Sequence, residues 1–253
     1  MCEECRANSS RPLMSRPFMS RPFMSRRSLL LAASTMGLLL TRSAGAKKTK
    51  APPKPENVLS PDAALKRLQE GNARYVEGLA RRHDFKHERE ALAGGQNPYA
   101  GILSCADSRI APEYAFDSGR GDLFVCRVAG NFANEDTIAS MEYAVTVLAV
   151  PLILVLGHEG CGAVDATIKS LKDDKELPGH MPSLVSAIAP AVKAVAQQKG
   201  GDTLAKAIRQ NVIDNVAKLK SATPLLSAAV EQGKLKVVGG IYQLDDGEVD
   251  LVA

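Results

Sequence analysis

The chain has 253 residues, 45% of them hydrophobic and 4% aromatic with no tryptophan, enough to bury one sizeable core and, by length, to form one or two domains. Its formal charge of +4 suggests an acidic partner, but the first 46 residues hold seven Arg and two Glu, so the other 207 carry 25 basic and 26 acidic side chains, a net of −1. A near-neutral body behind a basic head argues against nucleic acid as a partner.

That head, residues 1–46, reads as a targeting segment. Arg26 and Arg27 stand in "SRRSLLL", an apolar run follows at 29–40, and Ala44 and Ala46 in "SAGA" fit an A-x-A cleavage site. The combination resembles a twin-arginine export signal, which implies removal of the segment and a periplasmic destination. The apolar run of about a dozen residues is short of the roughly 20 a membrane span needs, so no stable span is expected. Upstream, "SRPLMSRPFMSRPFM" repeats a five-residue unit too short for a solenoid, and Met24 alone would begin a compact signal. Cys2 and Cys5 have C-x-x-C spacing but fall in the segment expected to be removed, so no metal or redox role is assigned to them.

Residues 47–59, rich in Pro and Lys, read as a linker, and 60–253 as a single catalytic domain. Ser60 is placed to cap a helix that Pro61 begins, with Ala64, Leu65, Leu68 and Tyr75 at helical spacing. A polar helix over "HEREALAGG" ends at paired glycines. Four apolar runs, "AGILS", "LFVCRVA", "LILVLGH" and "KVVGGIY", then read as strands buried on both faces, with helices at 134–149, 161–173, 183–198 and 203–220. Pro112 starts a further turn or helix. "EVDLV", after Asp245, Asp246 and Gly247, closes a hairpin with the last run. The fold expected is α/β, a mostly parallel central sheet flanked by helices with an antiparallel C-terminal edge strand. Cys126 falls on what reads as an interior strand, as a small buried hydrophobe.

Two of these strands end in reactive residues. "SCADSRIAPE" places Cys105, Asp107 and Arg109 at every second position as the first strand stops, where side chains in open α/β sheets face the ligand crevice. On this reading Cys105 sits at a sheet edge, outside the core. The third strand ends in "LGHEGCGAV", with His158 and Cys161 three apart and glycines beside the Cys. Two thiolates and an imidazole favour Zn2+, and three protein ligands leave a fourth position open, as in catalytic zinc sites. His83, His87 and His180 lie in polar or Pro/Gly-bounded stretches with no ligand-like neighbour.

With these motifs assembled, the sequence resembles the β-class carbonic anhydrases from about residue 63 to 251. The likeness is carried by C-x-D-S-R at 105–109, H-x-x-C-G at 158–162, "GDLFVCRVAGN" between them, "MEYAV" at 141–145 and "GEVDL" near the end. The resemblance implies Cys105, His158 and Cys161 as zinc ligands and Asp107 with Arg109 as a catalytic dyad. It further implies a pocket for carbon dioxide or bicarbonate formed by Phe124, Tyr143, the Gly162 N–H and Gln96, the last reaching across a dimer interface. A homodimer or higher even oligomer follows, with the first helix packed on the partner. Two positions depart from the family pattern: Ala129, where valine is common, and Glu159, where a small residue is usual.

The chemistry so implied is reversible hydration of carbon dioxide, zinc lowering the pKa of its bound water so that hydroxide is available. Two thiolates already cancel the ion's charge, so Asp107 as a fourth, anionic ligand would close the site; Arg109 is placed to hold it off, and hydration is expected to rise through the mildly alkaline range. No histidine is assigned as a proton shuttle. The alternatives are a carbon disulfide or carbonyl sulfide hydrolase on the same fold, and a catalytically silent, zinc-stabilised bicarbonate-binding protein.

Overall fold

The computed structural model describes residues 53–253; residues 1–46, read as a signal segment, with Cys2 and Cys5, and the start of the expected linker lie outside the described residues. From Lys54 the chain is tied down. The Lys54 N–H donates to Asn97 Oδ1 at 3.0 Å, Asn97 Nδ2 donates back to the Lys54 carbonyl at 2.6 Å, and Lys54 Nζ pairs with buried Asp122. Helix α1 (Pro61–Val76) starts as the sequence predicts, Ser60 Oγ accepting from the Ala63 N–H at 3.3 Å. Helix α2 (Phe85–Leu92) starts two residues earlier than predicted, because the Asp84 carboxylate accepts from the amides of Lys86 and His87 and so caps a turn ahead of His87.

Five strands follow: β1 (Ala100–Ser104), β2 (Leu123–Arg127), β3 (Leu152–His158), β4 (Lys236–Tyr242) and β5 (Val249–Leu251), in the order β2-β1-β3-β4-β5. The first four are parallel and β5 runs antiparallel to β4, the architecture expected from the apolar runs and the terminal hairpin. Between them lie α3 (Pro112–Ala115), α4 (Glu135–Thr146), α5 (Gly162–Lys172), α6 (Pro182–Val195), α7 (Thr203–Lys220) and α8 (Leu225–Glu231). Among the described residues, no helix is long and apolar enough to cross a membrane.

The core follows from strand alternation. Leu152, Leu154 and Leu156 of β3 face Ala64 and Leu68 of α1, whereas Ile153 and Val155 pack against Val212, Val216 and Leu219 of α7. Both faces of β3 are therefore covered, which is why its seven residues read as an unbroken apolar run. Helix α7 approaches the sheet closely because two strand positions lack side chains: a Cβ on Gly157 would lie 2.6 Å from Val212 Cγ2, and one on Gly239 2.5 Å from Val212 Cγ1.

Four expectations need correction. The strand with Cys126 is at the edge of the sheet in the protomer, paired only with β1, and Cys126 is half-buried. That strand stops at Arg127 rather than running on to Ala129, since a turn closed by the Asn131 N–H on the Val128 carbonyl redirects the chain. Cys105, expected outside the core, is only 3% exposed among Phe132, Val164 and Ile188. Helix α8 has no forecast counterpart, its seven residues being too few to show a clear period.

Candidate metal centre

Strands β1 and β3 are neighbours although β2 lies between them in the chain, so the order of winding reverses at this pair. A crevice opens at the carboxyl ends of strands at such a switch point. Cys105 follows β1 directly, His158 ends β3, and Cys161 stands at the N-cap of α5 after a turn in which Gly160 has φ +61°. The fold thereby brings the two motifs of the sequence to one place: a sulfur of each Cys and a ring nitrogen of His158 all lie within 4.8 Å of one another, and all three residues are buried.

This donor set fits a zinc ion. The His158 Nδ1 lies 2.8 Å from the Glu159 carbonyl oxygen, which only accepts, so Nδ1 carries the proton and Nε2 presents a lone pair. That Nε2 is buried without a hydrogen-bond partner, a costly state for a polar atom unless a cation takes the lone pair. The two sulfurs are 3.9 Å apart. Cys105 is drawn well below the ordinary thiol range, first by the Cys161 sulfur and then by His158 and the Gly130 N–H, while the same pairing pushes Cys161 up. Two thiolates at that separation repel, and a divalent cation relieves them.

Beside the cluster, Arg109 grips Asp107 bidentately, Nε to Oδ1 at 2.9 Å and Nη2 to Oδ2 at 2.8 Å, with the Arg109 backbone N–H also donating to Oδ1 at 2.9 Å. The guanidinium holds the Asp107 carboxyl well below the usual carboxylate range. Asp107 Oδ2 is 3.8 Å from His158 Nε2, near the cluster yet turned to Arg109. The Phe124 and Tyr143 rings, from β2 and α4, meet with centroids 6.2 Å apart, and Tyr143 is half exposed. Gly162 opens α5 next to Cys161. Gln96 is exposed, in a groove with Leu92, Arg120 and Gly121 that contains none of the three cluster residues. The other histidines stay apart from the cluster, but two have acidic neighbours not expected from the sequence: Glu88 at 3.2 Å and Asp117 at 3.8 Å from His83, and Asp84 at 2.6 Å from His87.

Comparison with known proteins agrees with this site. The carbonic anhydrase family profile matches residues 100–249. Carbonic anhydrase 2 of Mycobacterium tuberculosis is 42% identical over 193 residues, covering 76% of this chain and 93% of the relative, and a carbonic anhydrase of Mycolicibacterium smegmatis is 40% identical with the same coverage. Among solved structures, the β-carbonic anhydrase CcaA is similar at 30% identity and TM-score 0.57, over 75% of this chain and 98% of that one. A Coccomyxa β-carbonic anhydrase in complex with acetazolamide matches at 29% and 0.58, over 74% and 86%. The chain belongs to the β-class carbonic anhydrase family. Its activity is that of a carbonate dehydratase, and the buried Cys105, His158 and Cys161 cluster is typical of the zinc site of that class.

Sequence reasoning missed Arg127. At the end of β2 it donates from Nε to the Cys105 carbonyl at 2.8 Å and from Nη2 to the carbonyls of Asp107 at 2.7 Å and Ile110 at 2.9 Å. One guanidinium thus fixes the backbone of the loop that carries a ligand and the Asp107–Arg109 pair. The only sequence signal was a charged residue closing an apolar run. Arg127→Ala is expected to lower kcat about tenfold, the size of effect usual when the support of a metal ligand is lost, while zinc content stays near stoichiometric because all three ligand side chains remain. Turnover equal to wild type, measured beside zinc by atomic absorption, would show that the loop holds its shape without the clamp.

Proposed function

We propose that this carbonic anhydrase works as an exported dimer in which Cys105, His158 and Cys161 hold the zinc ion and Asp107 and Arg109 position the reacting groups. The observation that carries the reading is the bidentate Asp107–Arg109 pair beside the orphaned His158 Nε2. Zinc, when bound, supplies Lewis acidity that makes hydroxide available near neutral pH.

The chain's own residues do the rest. Asp107 stays ionised because Arg109 occupies both of its oxygens, and Oδ2, on the side of the cluster, accepts a hydrogen bond from the attacking oxygen and so orients it. Arg109 at the same time keeps the carboxylate from becoming a further metal ligand. The Gly162 N–H, at the positive end of α5, donates to a substrate oxygen, and the apolar Phe124 and Tyr143 rings wall the pocket for carbon dioxide. Stopped-flow hydration assays on zinc-loaded protein, with carbon disulfide and carbonyl sulfide offered in parallel, test the assignment. Asp107→Asn is expected to depress carbon dioxide turnover by at least about tenfold with zinc retained; unchanged turnover would remove Asp107 from the reaction.

Two features support a dimer. Strand β2 has a partner on one side only, leaving backbone donors and acceptors along its other edge, and its Leu123, Phe124, Val125 and Cys126 are half-buried in the protomer. Gln96 is exposed in a groove that holds none of its own chain's cluster residues, which leaves it free to serve the site of a second copy. Sedimentation should give at least a dimer, and Gln96→Ala should raise KM; an active monomer would overturn the assembly. Export rests on Arg26, Arg27, the apolar run 29–40 and Ala44/Ala46. Expression in a twin-arginine-competent bacterium should yield periplasmic mature protein. Arg26→Lys with Arg27→Lys should hold the precursor in the cytoplasm, and unaltered fractionation would refute that route.

A further inference from the structure

We infer that Asn211 and Asn215, a pair one turn apart on α7, are positioning residues for the Cys105 thiolate, acting through the turn at 128–131. The inference rests on Cys105 being a zinc ligand.

The connection can be followed atom by atom. The Gly130 N–H points at Cys105 Sγ, 3.3 Å away, from the β2 side of this sulfur, and the Asp107 N–H faces it from its own loop. Gly130 sits third in a turn closed by the Asn131 N–H on the Val128 carbonyl at 2.9 Å, with φ +87°, a conformation open to glycine at little cost. Glycine is required for space as well, since a Cβ there would lie 2.5 Å from Ile188 Cδ1. Val128 is still tied to the end of β1, its N–H on the Ser104 carbonyl at 3.1 Å and its carbonyl accepting from the Ala106 N–H at 3.3 Å, but residues 129–131 have no such ladder, so something else must orient them.

Helix α7 supplies that hold. Asn211 Nδ2 donates to the Gly130 carbonyl at 2.8 Å, and both asparagines are almost wholly buried. Asn215 Nδ2 donates to Asn211 Oδ1 at 3.1 Å and to the Asn211 carbonyl at 2.7 Å, which fixes the Asn211 amide with its NH2 toward Gly130. Asn215 Oδ1 then accepts from the Ala133 N–H at 2.7 Å, and Lys218 Nζ donates to the Ala133 carbonyl at 2.6 Å. Gly130 and Ala133 are thus both pinned to one helix face. Each buried carboxamide turns one end to the loop, Asn211 its NH2 and Asn215 its oxygen, while their other ends lock the two to each other, an arrangement whose product is the direction of the Gly130 N–H.

An N–H donated to a thiolate lowers the energy of its lone pairs and moderates the charge it gives the metal. The test uses the full-length mature protein with cobalt(II) in place of zinc, reading the sulfur-to-metal charge-transfer band. Asn211→Leu should move that band to longer wavelength, the loss of the Gly130 hydrogen bond raising the sulfur lone pairs. Asn215→Leu, which keeps the Asn211 amide but unlocks it, should give a smaller shift in the same direction, and serves alone if the first variant does not fold. Val212→Ala, a core truncation between them, should lower the melting temperature and leave the band in place. An unmoved band in the asparagine variants, or an equal shift in Val212→Ala, overturns the inference. Cys105→Ser separates the two failures: undiminished charge-transfer intensity there would instead sink Cys105 as a ligand.

Discussion

Replacing His158 with alanine is expected to strip most of the zinc and to abolish carbon dioxide hydration, with Cys105→Ala and Cys161→Ala behaving alike. Each variant removes one of three protein donors, and the two left cannot make a complete site. In His158→Ala the sulfurs of Cys105 and Cys161 remain 3.9 Å apart, but the nitrogen that shares the ion with them is gone. Lewis-acid stabilisation of several kcal/mol goes with it, which corresponds to about three orders of magnitude in turnover. All three residues are buried, and the nearest other ionisable side chain, Asp107, is held away by Arg109. Metal analysis after dialysis, with hydration rates on the same samples, checks this; stoichiometric zinc in any one variant would take that residue out of the ligand set.

Arg109→Ala should separate metal binding from catalysis. The arginine touches none of the three cluster side chains; its contacts are with Asp107 and, at 3.4 Å, the Gly160 carbonyl. Zinc is therefore expected to stay while turnover falls about 100-fold. The physical reason is what happens to Asp107. It loses two of its three hydrogen-bond donors, keeps only the Arg109-position backbone N–H, and stands with Oδ2 3.8 Å from His158 Nε2. Nothing then prevents that carboxylate from turning toward the cluster as a competing anionic ligand. X-ray absorption on the variant should report an added oxygen ligand from protein, and Arg109→Ala with Asp107→Asn should lose that signature. Near wild-type turnover in Arg109→Ala would show that the pair is a surface ion pair of little consequence.

What the sequence by itself determined about this protein is local: which strands exist and which reactive groups stand near their ends, though not the residue at which each strand stops. Cys105, Asp107 and Arg109 lie within five residues and His158 and Cys161 within four, so their spacing alone carried the chemistry. The Arg109 grip on Asp107 spans two positions, and a two-residue separation is readable without knowing the fold. What only the tertiary structure decided is everything that joins distant segments. The adjacency of β1 and β3 depends on the order of winding, and the edge position of β2 on which strand β1 chose as its second neighbour. Apolar periodicity cannot see either, because strands buried on one face by helices and strands awaiting a neighbour have similar composition. The Arg127 contacts reach 17 to 22 residues back, and the bond from Asn211 to Gly130 crosses 81. That last bond exists because Gly157 and Gly239 lack side chains and let Val212 settle on the sheet, carrying α7 within reach of the turn. The missing atoms of two strand glycines thus let a helix come close whose asparagines hold the turn beside Cys105, a relation that only close packing in three dimensions creates.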